Sequence, residues 1–176
     1  MVFKVEIHFE QLNSNHFKIL HHWYNKLHVQ TFYSLREWTF EEICKKMISN
    51  INSEKKSFII QLNHIPIGYI QSFPLIENKF LSEEIIKKGR GLDLFIGEEA
   101  YLYKGLGALI IKSFLKKYIW PAFHYCIVDP DKRNEPSLRL FQKCGFKPHL
   151  QIDSINDMNK TVSLQVLIKK KLLSNS

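Results

Sequence analysis

An aspartate stands alone in an apolar run, Gly91-Leu92-Asp93-Leu94-Phe95-Ile96-Gly97, and a glycine turn, Tyr103-Lys104-Gly105-Leu106-Gly107, follows close behind it. Burying a lone carboxylate is costly unless it is paired or put to use. Asp93 therefore has two readings: a strand-end residue paired with Arg90 or a lysine, or a functional carboxylate. The glycine turn lies before Ala108-Leu109-Ile110-Ile111-Lys112-Ser113-Phe114-Leu115-Lys116-Lys117, whose pattern predicts a helix. A strand, a tight turn and a helix N-terminus offer unpaired N–H groups and the positive end of a helix dipole. Glycines two apart also let a backbone approach a ligand closely. The chemistry this would serve is binding of a phosphate-bearing cofactor; the plain alternative is a tight strand–helix connection. The turn has no third glycine at dinucleotide spacing, and Gly107-Ala108-Leu109 lacks the Gly-Lys-Ser/Thr of a nucleotide-hydrolysing loop. Both common phosphate motifs are disfavoured.

Metal and thiol chemistry find little support. Cys44, Cys126 and Cys144 are odd in number, widely spaced and set in apolar patterns. They read as reduced core thiols of a cytoplasmic protein rather than disulfides or metal ligands. His21-His22, His28, His64, His124 and His149 show no ligand spacing, so no metal is expected. At 176 residues, 45% hydrophobic, the chain can bury a sizeable core as one domain, 1–176, without linker or repeat. The net charge of +8 is scattered, and its one dense run is Lys169-Lys170-Lys171, so a solvated surface is expected rather than a nucleic-acid partner. No apolar run is long enough to span a bilayer, and the N-terminus alternates like a strand instead of resembling a signal peptide.

Around the two sites, the sequence predicts interleaved strands and helices. Asn13 or Ser14 caps a helix carrying Phe17, Leu20 and Trp23, and an aromatic loop runs from His28 to Trp38. Thr39-Phe40-Glu41-Glu42 is a capping box opening a helix with Ile43, Met47 and Ile48. Strands follow at Ser57–Leu62 and Ile67–Leu75 about a turn at residues 63–66, then a short helix at Ser82–Gly89. After the Asp93 strand and its helix come a strand at Phe123–Val128, a helix at Pro136–Cys144, and strands at Phe146–Ile152 and Thr161–Ile168. Hairpins open and close the chain, so the sheet should be mixed.

The stretch from Gly91 to Phe146 resembles the GNAT superfamily of N-acetyltransferases, and within it the aminoglycoside 6′-N-acetyltransferase branch. The resemblance is carried by Ile65-Pro66-Ile67-Gly68-Tyr69-Ile70-Gln71-Ser72, Gly91-Leu92-Asp93-Leu94-Phe95-Ile96-Gly97, Lys104-Gly105-Leu106-Gly107, Val128-Asp129-Pro130, Asn134 and Phe141-Gln142-Lys143-Cys144-Gly145-Phe146. It implies an α/β (α+β) single-domain fold with a mixed, mostly antiparallel sheet flanked by helices. That sheet would be splayed between the strands at 91–97 and 123–128. It further implies acetyl-CoA as cosubstrate and no metal. The pantetheine arm would pair with Leu94, Phe95 and Ile96, the pyrophosphate would rest on the amides of Tyr103, Lys104, Gly105, Leu106 and Gly107, and Asn134 would contact CoA near the thioester. One departure is Leu102, where the superfamily usually has Arg or Gln three residues before the first glycine.

In that frame Asp93 faces the acceptor amine, attracts its ammonium and accepts its proton as general base, a role worth ~10²–10⁴ in rate. Many relatives place a tyrosine where Phe141 stands, to protonate the departing thiolate. Either the thiolate leaves unaided, or Tyr101, Tyr103 or Tyr125 substitutes, or catalysis is weak. A polycationic aminoglycoside wants an acidic site, and Glu83, Glu84, Asp93, Glu98, Glu99, Asp129 and Asp157 are candidates. Asp129 stands out but also reads as a turn residue before Pro130. Tyr24, Phe32, Tyr33 and Trp38 could cover a sugar ring or belong to the core. The substrate-binding set is then Tyr33, Asp93, Asp129 and Asp157. The expected partners are a small-molecule amine and acetyl-CoA, with no nucleic acid and no membrane, in a monomer or homodimer. The expected reaction is direct attack in a ternary complex, with antibiotic resistance as the phenotype of the aminoglycoside reading. Acylation of a siderophore precursor of hydroxylysine type, or of a polyamine-like metabolite, is the alternative. A non-catalytic CoA-binding module is the third.

Overall fold

A computed structural model describes residues 5–156 and 158–172. The chain packs as two compact units, one built from residues up to Ser72 with Asp93–Leu106, the other from Phe73–Leu92 with Gly107 onward. Seven strands follow the order β1-β2-β3-β4-β5-β7-β6, and β4 contributes residues to both units.

In the first unit, β1 (Ile7–Gln11) and β2 (Lys56–Leu62) are antiparallel, as are β2 and β3 (Ile65–Phe73). The β2–β3 turn is only two residues long. Asn63 and His64 both take positive φ, the hairpin geometry whose twist matches that of the flanking strands. Asn13 caps the single 3-10 turn that leads into α1 (Phe17–Tyr24), whose Phe17, Leu20, Trp23 and Tyr24 are buried at helical spacing. The loop expected from His28 is more ordered than its composition suggests. A short helix, α2 (Leu27–Val29), runs into a wide turn at Gln30–Ser34, and Leu35 ends it in the left-handed region. Thr39 and Glu42 close the expected capping box on α3 (Phe40–Ile51), which buries Ile43, Met47 and Asn50. α1 and α3 share a core with Ile59, Tyr69 and Phe95, the inward residues of β2, β3 and β4 (Gly89–Ile96).

In the second unit, Ser82 caps α4 (Glu83–Lys88). Gly89 does not end that helix in the left-handed form; it is extended and starts β4 two residues earlier than the sequence pattern indicates. β4 pairs in parallel with β5 (Tyr125–Val128) only from Gly89 to Gly91. α5 (Leu106–Phe114) ends in a wide turn at Leu115–Ile119. α6 (Glu135–Lys143) is capped by Asn134. β6 (Lys147–Ile155) and β7 (Thr161–Lys170) close the chain as a long hairpin, with β7 antiparallel to β5. Among the described residues no helix is long and apolar enough to cross a membrane, and no group of three or more His, Cys, Asp or Glu is arranged to hold a metal ion.

Candidate active site

Strand alternation places Asp93 and Phe95 on one side of β4 and Leu92 and Leu94 on the other. Tyr69 and Gln71 hold the matching positions on β3, and Ser57 and Ile59 pair with them on β2. The first unit thus gathers a polar group at the edge of its aromatic core. Gln71 Nε2 donates to Asp93 Oδ2 at 3.0 Å. Part of Asp93 stays accessible, yet protein atoms crowd its carboxyl, and that burial pushes it above the usual aspartate range. The Gln71 hydrogen bond and the charges of Lys55 and Lys46 pull the other way. The neighbour that bonds Asp93 is Gln71, a residue that neither reading of the carboxylate names.

Tyr33 joins this group. Its ring lies 4.6 Å from Phe95 and 5.8 Å from Tyr24, both edge-on. Burial, then the nearby Tyr24 hydroxyl and the Asp93 charge, raise its phenol well above the ordinary value. Burial also lifts Tyr69 to about 12, so both phenols stay protonated as donors. Tyr24 is fully buried and Trp38 packs edge-on to it at 5.7 Å, which makes them core; Tyr33 is the aromatic of that loop beside Asp93.

The end of β4 is clamped. The N–H groups of Gly97 and Glu98 converge on the Ile67 carbonyl at 2.8 and 3.1 Å, a bulge that ends the strand. The Ile96 carbonyl, one of the groups expected to pair with the pantetheine arm, accepts from His28 Nε2 at 2.9 Å. Glu98 is taken by Trp23 Nε1 at 2.6 Å and Lys26 Nζ at 3.0 Å, and those bonds hold its carboxyl below the usual range. Glu99 lies 3.2 Å from His28 Nδ1.

The glycine turn has the form of a cradle. Tyr103 (φ 57°) and Gly105 (φ 75°) are both left-handed, which turns successive N–H groups toward one side. A Cβ built on Gly105 would meet nothing within 4 Å, so dihedral preference rather than crowding selects this glycine. Tyr103 is 92% exposed, and Lys104 lies over Tyr101 at 5.9 Å. The first N–H groups of α5 have no partner within their own helix. An open, backbone-lined cradle of this kind fits a pyrophosphate.

Gly107 is a different case. Its Cβ would fall 2.8 Å from a Leu140 methyl, so its small size serves packing against α6.

In the second unit Asn134 is half-buried, and its Oδ1 accepts from Ser137 N at 3.2 Å as the cap of α6. Asp129 is half-buried at the end of β5. Phe141 is 6% exposed and packs against Phe146 at 5.4 Å. Tyr125 donates to Glu84 Oε1 at 3.1 Å. Glu83 and Glu84 pair along α4 with Lys87 and Lys88. Asp157 lies outside the described residues. The structure therefore brings Asp93, Phe95 and Tyr33 together, and commits Glu83, Glu84, Glu98 and Glu99 to internal partners. Sequence reasoning missed Gln71, although it is a polar residue inside an apolar strand, the same signal that singled out Asp93.

A family model for the acetyltransferase (GNAT) domain matches residues 13–154. An aminoglycoside N(6′)-acetyltransferase type 1 from Klebsiella pneumoniae is 24% identical over 136 residues, covering 73% of this chain and 68% of that protein. Among solved structures, the aminoglycoside acetyltransferase AAC(6′)-Ib in complex with coenzyme A and kanamycin superposes with a TM-score of 0.79. It is 18% identical over 94% of this chain and 95% of that one. A spermidine N-acetyltransferase from Vibrio cholerae in complex with CoA and spermine gives 0.74 at 14% identity, over 93% and 95%. At these identities the structural likeness speaks for the fold, whereas the family match covers most of the chain. With a carboxylate on β4 and a glycine cradle opening α5, this chain belongs to the GNAT acetyltransferase family, whose acyl donor is acetyl-CoA.

Proposed function

We propose that the protein acetylates a primary amine, with the 6′-amine of an aminoglycoside as acceptor, by direct attack in a ternary complex. The observation that carries this reading is the crowded carboxyl of Asp93, raised by burial and held by Gln71 beside Tyr33. The relatives, which are aminoglycoside 6′-acetyltransferases by name, support this choice of substrate class.

Bound acetyl-CoA supplies an activated acyl group as a thioester. The amides of residues 103–107 would hold its pyrophosphate, and the main chain of Leu94, Phe95 and Ile96 its pantetheine arm. Asn134 spends Oδ1 on its helix, so its Nδ2 donors are the part that would face a CoA carbonyl. Asp93 attracts the acceptor ammonium, takes its proton and leaves a lone pair for attack. Tyr33, on the same polar edge, supplies an aromatic wall and a hydroxyl donor. Asp129 and Asp157 are assigned to the acceptor's other amines. Fixed placement of amine and thioester contributes on the order of 7–11 kcal/mol of the barrier reduction in well-oriented systems.

A second reading has its own observation. The charges that act on Asp93 come from Lys55 and Lys46, which oppose a polycation and suit an acceptor with one amine, such as a hydroxylysine-type side chain. Thiol release from acetyl-CoA against kanamycin-type sugars, hydroxylysine and polyamines separates the readings. Turnover of the sugars supports the first, and turnover of hydroxylysine alone supports the second. No turnover with any amine, despite a rise in melting temperature with acetyl-CoA, would make the protein a binding module.

A further inference from the structure

The hydrogen bonds behind Asp93 run in one direction. Lys55 Nζ donates to Asn50 Oδ1 at 3.3 Å, and Asn50 Nδ2 donates to Gln71 Oε1 at 3.3 Å. Gln71 Nε2 donates to Asp93 Oδ2 at 3.0 Å. A cation therefore reaches a carboxylate through two side-chain amides, each polarised in the same sense. Tyr69 braces the middle of this row. Its hydroxyl lies 3.0 Å from both Gln71 Oε1 and Ser57 Oγ, and 3.2 Å from Asn50 Nδ2. Asn50, Ser57, Tyr69 and Gln71 are all buried.

This arrangement fixes which way the Gln71 amide points. Flipped, its Nε2 would face the amide donor of Asn50, and its Oε1 would face the Asp93 carboxylate. Both contacts are repulsive, and burial removes the water that would relieve them. Gln71 is thereby locked with a donor on Oδ2 of Asp93, which leaves Oδ1 as the oxygen that meets an amine. The groups facing Asp93 from the packed elements are Lys46 of α3, Lys55 before β2, Tyr33 after α2, and Tyr69 and Gln71 of β3. Of these, Gln71 is the one seen to donate to the carboxylate, through Nε2 to Oδ2.

We propose that Gln71 is a positioning residue for Asp93, oriented and polarised by the Lys55–Asn50 pair, and that Lys55, two side-chain amides removed from the carboxylate, sets the protonation of the general base. The proposal rests on Asp93 being that base. Removing the donor or the cation takes away interactions that favour the carboxylate, so the Asp93 titration moves to higher pH in each case.

The test is a set of three variants of the full chain, Gln71→Leu, Lys55→Met and Asp93→Asn. Each is measured for kcat/KM against pH, and the wild type, Gln71→Leu and Lys55→Met are also titrated by carboxyl ¹³C NMR of Asp93. Gln71→Leu should lose on the order of 10-fold in kcat/KM, the value of one hydrogen bond to a charged group. It should also shift the acidic limb upward at unchanged KM for acetyl-CoA. Lys55→Met, made at a half-exposed position that leaves the core intact, should shift the limb the same way by less. A merely structural role would lower the melting temperature and leave the limb in place. If Gln71→Leu fails to fold, Lys55→Met decides. An unmoved Asp93 resonance in Lys55→Met, or an unmoved limb in both variants, overturns the proposal. An undiminished rate in Asp93→Asn instead overturns the general-base reading, and the NMR titration still reports whether the amide row acts on Asp93.

Discussion

Burial penalises the charge of Asp93, so its carboxyl is protonated more readily in the folded chain than in the unfolded one. A carboxyl raised in this way lends its full stability below the unfolded pKa and loses it as the pH rises through the folded one. At neutral pH the ionised residue thus works against folding. Asp93→Asn should melt higher than wild type at neutral pH, and the gap should close in acid, as thermal melts across that range will show. The same variant should turn over at least ~10²-fold more slowly while acetyl-CoA still raises its melting temperature. Phe141 poses the opposite question. Buried against Phe146, it has no proton to give; of the alternatives, unaided departure asks least of the protein, because a CoA thiolate has a pKa near that of a cysteine. Phe141→Tyr should accordingly change kcat by less than about 10-fold. A much larger rise in a stopped-flow thiol assay would show that a missing acid limits this protein.

The glycine turn and α5 show how one motif can hold residues for unlike reasons. Gly105 is favoured by its positive φ, and most other residues there, Asn and Asp aside, cost roughly 1–2 kcal/mol. Gly107 leaves room for Leu140, whose methyl a Cβ would meet at 2.8 Å and push aside. Gly107→Ala should therefore destabilise the chain, and adding Leu140→Ala should recover part of that loss. A denaturant-melt double-mutant cycle reads the coupling, expected at roughly 0.5–3 kcal/mol for residues in contact. Gly105→Ala should show no such rescue. The element patterns themselves were legible. Apolar spacing located α1 and α3, the Thr39–Glu42 box marked the start of α3, and alternation found β2 and β3. The boundaries moved where context prevailed. Gly89 reads locally as a helix stop, yet pairing with Tyr125 draws it into β4. The aromatics after His28 read as loop, yet burial of Val29 and of Ser34, which bonds to Tyr24 O at 2.6 Å, winds them into helical turns.

For the molecule as a whole, the proposed assignment makes binding separable from chemistry, because the cradle and the carboxylate sit on different stretches of chain. Acetyl-CoA at about 100 times its Kd should stabilise the folded state by about 2.7 kcal/mol. Differential scanning fluorimetry should find this stabilisation equal in wild type and Asp93→Asn, and smaller in Gly105→Val, whose cradle is strained.

The family, the order of the elements, the glycine cradle and the isolated carboxylate on β4 were all readable from the chain before it is folded. These depend on near neighbours in the chain, on alternation along a strand and on turn chemistry, all of which are local. Which carboxylates have other employment becomes visible in the packed fold alone. Glu98 meets Trp23 and Lys26 across gaps of 75 and 72 residues, and Glu84 meets Tyr125 across a gap of 41. The packing also decides what stands behind Asp93. Lys55, Asn50, Gln71 and Asp93 come from a loop, a helix and two strands, and no spacing rule links them. Their hydrogen bonds exist because sheet register and helix packing bring distant polar groups together where water is excluded.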